Sequence, residues 1–203
     1  MSARLFPDDI LFFQRLLKVE GLYTGELDGL WGPLTEKAAA GFESLSDQIQ
    51  SETSPFDFRT EKNIRTLVLS AQREARIFMA KVIDADIKAK IISGTRTYAE
   101  QNRLFRQGRY GNPGPIITHA RGGRSNHNFG IAWDIGIFTE TGGYVAEGAV
   151  YDQAAEVGMT DTLEWGGDWT GFVDKPHYQL RFDVDLATIR QRFEHGESLT
   201  MIA

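Results

Sequence analysis

The sequence predicts an α+β fold, with helices packed on a mainly antiparallel sheet. Three observations carry that expectation. Apolar residues recur at the helical interval in several stretches, as Ile10, Phe13, Leu16 and Leu17 do in "DDILFFQRLL". Short apolar runs such as "FGIAWDIGIF" and "HYQLRF" read as strands. No internal repeat and no low-complexity tract interrupts the pattern.

In chain order, residues 5–45 read as a compact unit. It has a first amphipathic helix, a glycine-rich turn region and a second helix from about Thr35, with Pro33 suited to the helix start; by periodicity alone it is a small helical hairpin that decorates the main domain. Residues 46–60, "SDQIQSETSPFDFRT", are polar with one proline and no clear period, as a linker is. Residues 61–85 form a long helical stretch whose apolar stripe is Ile64, Leu67, Val68, Ala71, Ala75, Phe78 and Val82. "KAKIISGTRT" gives a short strand and turn, "YAEQNRLFRQG" a helix ending at Gly108, and "DLATIRQRFEHG" a closing helix.

The bulk properties narrow the function classes. A chain of 203 residues suits one ordinary domain plus a small one, or a single larger domain. A net charge of -6 argues against a general nucleic-acid surface. The absence of cysteine excludes disulfides, thiolate zinc sites and cysteine nucleophiles together. The first residues, "MSARLFPDDILFFQ", lack the pattern of a secretory signal. No stretch reaches the roughly 18 apolar residues of a membrane span. The expectation is a chain made in the cytoplasm, with no membrane insertion.

The chemistry concentrates in two glycine-punctuated segments. In "SNHNFGIAWDIGIF", His127 stands seven residues ahead of Asp134, which lies in a strand pattern that half-buries it. A buried carboxylate needs a positive or donating partner. His177, opening the strand "HYQLRF", can join them, and three His or Asp ligands with an open fourth position are what a catalytic zinc uses. Asp174, three residues earlier, is placed to act as a general base. Spacing alone leaves a structural hydrogen-bonded His–Asp pair equally open.

The segments "SGTRTYAEQNRLFRQGR", "ITHARGGRSNHNFGIAWDIGIF" and "LEWGGDWTGFVDKPHYQL" resemble the zinc peptidases that cleave L-alanyl-D-glutamate or D-alanyl-D-alanine bonds in peptidoglycan. The likeness runs over residues 90–182 and is nearest to the phage-lysin-like branch of L-alanyl-D-glutamate endopeptidases. It implies one Zn2+ per chain held by His127, Asp134 and His177, Asp174 as general base, and Arg96 of "SGTRT" stabilising the oxyanion. A salt bridge from Arg96 to Glu100 is the plainer reading of that arginine. Ser125, Gln101, Trp165, Asp168 and Trp169 are candidates to contact substrate. Turn capping, a helix-surface position and core packing are the alternatives for Ser125, Gln101 and the tryptophans. His119 and His195 have no partner motif and are read as non-ligands.

The stretch "LFFQRLLKVEGLYTGELDGLWGPLTEKAAAGF" resembles a small peptidoglycan-binding module of three short helices, through Leu11, Gln14, Gly21-Leu22-Tyr23, Asp28-Gly29, Gly32-Pro33, Thr35 and Phe42. It departs from the module at Glu43, where glutamine is usual. Together the resemblances imply a module at 1–45, a linker at 46–60 and a zinc peptidase domain at 61–203. The implied protein is a monomeric, endolysin-like, bacteriolytic hydrolase acting on the cell wall, with a holin or secretion system for release. A D-alanyl-D-alanine carboxypeptidase with the same site, and a non-catalytic wall-binding protein, are the alternatives.

Overall fold

The computed structural model describes residues 6–199, so the outer ends of the segments 1–45 and 61–203 lie outside the described residues. The first half of the chain holds α1 (Pro7–Val19), α2 (Pro33–Ser51), α3 (Phe58–Ile64), α4 (Leu69–Asp84), β1 (Ala89–Ser93) and α5 (Tyr98–Arg106). The second holds β2 (Ala132–Phe138), β3 (Tyr144–Val145), α6 (Ala149–Gly158), β4 (Leu163–Trp165), β5 (His177–Leu180) and α7 (Leu186–His195). Short 3-10 turns lie at Asn126–Phe129 and Gly166–Asp168. The class is α+β, as the sequence predicts.

Two compact units share these elements. One is built from residues 6–45, 96–129 and 184–199. Its core is aromatic: Phe12 and Phe129 each pack 5.4 Å from Phe193, and Phe12 meets Tyr98 edge-on at 6.0 Å. Such offset and edge-on pairs add to plain area burial. Pro7 opens α1 with Asp8 and Asp9 in its first turn, where they complement the helix dipole.

The resemblance implies three helices in residues 1–45, and the described part of that segment contains two. Residues 21–32 are held instead as a turn around Gln14, whose side chain is fully buried. Its amide oxygen accepts from the Gly29 N–H at 2.9 Å, and its nitrogen donates to Asp28 Oδ1 at 2.9 Å and the Leu30 carbonyl at 3.0 Å. Gly29 sits at φ +70°, and an added Cβ would lie 2.8 Å from the Pro7 carbonyl oxygen. Only glycine suits both constraints.

The other unit spans residues 46–95 and 130–183. Its sheet has the order β1-β2-β5-β4, with β3 added on β2, and every pairing is antiparallel. Trp133 of β2 opposes Tyr178 of β5, and their rings stack at 6.4 Å. Phe78 of α4 covers Tyr178 at 4.2 Å. Because strand side chains alternate, this leaves Asp134, His177 and Gln179 on the opposite face.

Two local expectations differ from what forms. The residues of the 61–85 stripe are buried, but the helix is two helices broken at 65–68. The extended Val68 there donates its N–H to the Gly130 carbonyl at 2.9 Å, a bond outside any helix. The polar stretch 46–60 is helical at both ends, in α2 and α3. Ser46 accepts from Gln72 at 3.0 Å, and Asp57 caps α3 through Arg59 N and Thr60 N, so these polar residues have partners that make them structural. The elements β3, α6 and β4 are not among those expected from the sequence: the two strands are only two and three residues long, and α6 starts from Gly148 with no side-chain cap.

Candidate metal centre

The site is built on antiparallel pairing. Asp134 on β2 lies directly opposite His177 on β5, which brings Asp134 Oδ1 to 3.1 Å from His177 Nδ1. His177 is buried and Asp134 half-buried. Burial opposes a charged imidazolium. The Asp134 carboxylate, the Gln179 side chain and the charge of Asp174 together outweigh it and hold the His177 ring above its ordinary value. A position that attracts a proton this way also attracts a metal cation.

His127 is carried by the 3-10 turn just ahead of β2 and is 2% exposed. Its carbonyl accepts from the Arg96 N–H at 3.0 Å. Asn128, fully buried, locks the turn: its amide nitrogen donates to the Arg96 carbonyl at 2.8 Å and its oxygen accepts from Gly123 N at 2.9 Å. One ligand atom from each of His127, Asp134 and His177 lies within 4.8 Å of the others. Two donors about 2.0 Å from one tetrahedral ion stand about 3.3 Å apart, close to the His177–Asp134 separation. The donor set, two imidazoles and a carboxylate, therefore fits a metal ion.

Asp174 is half-buried and fixed through its backbone. Its N–H donates to the Gly166 carbonyl at 2.9 Å, and its carbonyl accepts from His177 N at 3.1 Å. A Cβ on Gly166 would stand 2.5 Å from the Asp174 carbonyl oxygen and 3.1 Å from His177 Cβ, so the first glycine of "WGGDW" permits this approach. Trp169 lies 5.0 Å from the His177 ring, and Trp165 anchors the loop by donating to the Lys175 carbonyl at 2.8 Å. Asp168 is exposed.

Gln101 is not on a helix surface: it is fully buried in α5, donating to the Ala120 carbonyl at 3.0 Å and facing the Arg96 guanidinium at 3.4 Å. Glu100 does not take Arg96 as its ion partner. Its carboxylate closes a capping box on Thr97 instead. Ser125 contributes its carbonyl to the turn, accepting from Asn128 N at 2.9 Å. His119 is exposed beside Arg109, and His195 beside Glu197. Sequence reasoning missed Asn128, Gln179 and Glu164. The signal for Gln179 was its place two residues after His177 on a strand, hence on the same face.

The sequence profile of the D-alanyl-D-alanine carboxypeptidase family matches residues 118–180. Over 149 residues the chain is 30% identical to the peptidoglycan L-alanyl-D-glutamate endopeptidase CwlK of Bacillus subtilis, an alignment covering 68% of this chain and 86% of the relative. The chain belongs to this peptidase family. A crystal structure of the Serratia marcescens L-Ala D-Glu endopeptidase ChiX aligns with a TM-score of 0.48 and 27% identity, covering 63% of this chain and 90% of that one. Peptidases of this family are metal-dependent, and the His127, Asp134 and His177 group could hold such an ion. Among the described residues no helix is long and apolar enough to cross a membrane.

Proposed function

We propose that this chain is a peptidoglycan hydrolase that cleaves the L-alanyl-D-glutamate bond of stem peptides at a zinc centre formed by His127, Asp134 and His177. The observation that carries the reading is the convergence of these three ligand atoms on paired strands and an adjoining turn. Zinc, when bound, supplies a Lewis acid and brings the pKa of water down to about 7. Asp174 accepts the proton of the attacking water and returns it to the departing amine. Arg96, its backbone clamped by His127 and Asn128, offers guanidinium donors to the oxyanion. A donor in that role is worth roughly 100–1000-fold in rate. Trp165 and Trp169 form the wall beside His177, and Ser125 and Asp168 complete the proposed substrate contacts; the expected substrate contact of Gln101 is not kept, because its side chain is fully buried and supports the Arg96 guanidinium from behind.

The N-terminal segment 1–45 serves wall binding in this reading. Leu30, Trp31 and Leu34 stand exposed, and Phe13 stacks flat against Trp31 at 6.0 Å, an apolar patch of the kind that marks a binding surface. Tethering to a polymer raises the local concentration of cleavable bonds. The protein then works as an endolysin-like, bacteriolytic monomer, reaching the wall through a holin or secretion system.

A D-alanyl-D-alanine carboxypeptidase is the second reading, supported by the profile matched at 118–180. Mass spectrometry of disaccharide peptides after incubation separates the two. Loss of the whole peptide beyond L-alanine is the expected result; release of single D-alanine would replace the proposal with the second reading.

A further inference from the structure

Gln179 lies on the same face of β5 as His177 and is buried at 9% exposure. Directly across the ladder on β4 is Glu164. Gln179 Nε2 donates to Glu164 Oε2 at 2.8 Å. A carboxylate only accepts, so the amide nitrogen must face Glu164, and Gln179 Oε1 is left facing His177 Nε2 at 3.0 Å. An amide oxygen also only accepts. Nε2 of His177 therefore carries a proton, and the lone pair of the neutral ring sits on Nδ1, 3.1 Å from Asp134 Oδ1. A lone pair and a carboxylate facing each other at that distance need a positive centre between them, which a proton or a metal ion supplies.

We infer that Glu164 and Gln179 form a positioning relay that fixes the Nε2–H form of His177 and aims its Nδ1 at the metal. The inference rests on the metal centre proposed above and extends it to two residues that are not ligands. Outer partners of this kind orient the imidazole and raise its basicity, and their loss typically costs 10–100-fold in metal affinity. The chain of command runs Glu164 to Gln179 to His177. Each link is set by what its partner can and cannot donate.

The test is zinc affinity of the full chain, measured by competition with a chromophoric chelator, together with nitrogen-15 NMR of the histidine rings. Gln179→Leu is expected to weaken zinc binding by about 10–100-fold. Glu164→Gln, which lets the two amides flip, is expected to weaken it less. The double exchange Glu164→Gln with Gln179→Glu reverses the polarity of the pair while still presenting an acceptor to His177, and it is expected to restore affinity to within about threefold of the parent. In the zinc-loaded parent, His177 is expected to show a protonated Nε2 and a metal-bound Nδ1. Parent-like affinity of Gln179→Leu, or a proton on Nδ1 in the loaded protein, would overturn the relay alone. A parent that binds no zinc would overturn the metal centre and the relay with it.

Discussion

Asp134 and His177 are opposed residues on adjacent antiparallel strands, and their facing atoms are 3.1 Å apart. Backbone pairing therefore sets the distance between two ligands before any metal arrives, so little ordering remains to be done on binding. Asp134→Asn preserves the shape and removes the charge. It is expected to weaken zinc binding by more than the 10–100-fold typical of an outer partner, as read by isothermal titration.

Asp174 touches the site through its charge and is held by backbone bonds to Gly166 and His177. Asp174→Ala is expected to keep about one zinc per chain while losing roughly 100–10,000-fold in turnover. Metal analysis and kinetics on the same sample check both halves. An active variant would remove the general-base assignment.

Gly166 leaves no room for a side chain, because a Cβ there would meet the Asp174 carbonyl oxygen at 2.5 Å. Gly166→Ala must push the loop carrying Asp174 away from its place. A misplacement of about 1 Å near a reacting centre can cost about 100-fold. The expected outcome is a large loss of kcat with zinc affinity altered far less, and equal losses in both would contradict it.

Arg76 and Glu61 form a buried bidentate ion pair, at 2.8 and 3.1 Å, that ties α4 to α3. Burial raises the Glu61 carboxyl, but the Arg76 guanidinium and the Phe56 N–H more than reverse this and hold it below the ordinary value. Its stabilising contribution is thus fully present above the unfolded-state value of about 4.3 and is lost as pH falls through the lower folded value. Arg76→Ala leaves a buried carboxylate alone and is expected to cost about 3–5 kcal/mol at pH 7. Urea unfolding at pH 7 and pH 3 checks this: the penalty should shrink at the lower pH.

Trp31 is exposed and stacked on Phe13, so its substitution disturbs little core. Trp31→Ala is expected to weaken sedimentation with whole sacculi while cleavage of small soluble muropeptides is retained. Unchanged sacculus binding would assign the N-terminal segment a purely structural role.

Much of this was legible in the sequence. The strands carrying Asp134 and His177 show in the sequence as short apolar runs with glycine breaks, and the apolar stripe from Ile64 to Val82 is buried in the fold. What could not be read was the tertiary bond from Val68 to Gly130, which breaks that stretch into two helices. Nor could polarity at Ser46 and Asp57 reveal that one partners Gln72 and the other caps a helix. Gln179 and Glu164 meet only because β4 and β5 pair, and no local pattern encodes that pairing.

The central claim is that turnover at the L-alanyl-D-glutamate bond depends on one metal ion held by His127, Asp134 and His177. The most direct measurement strips the protein of metal and follows cleavage of a defined muropeptide as zinc is added back in fractions of an equivalent. The account predicts no cleavage at zero zinc and a linear rise to a plateau at about one zinc per chain. Full cleavage by the stripped protein, or none at any zinc level, would contradict it.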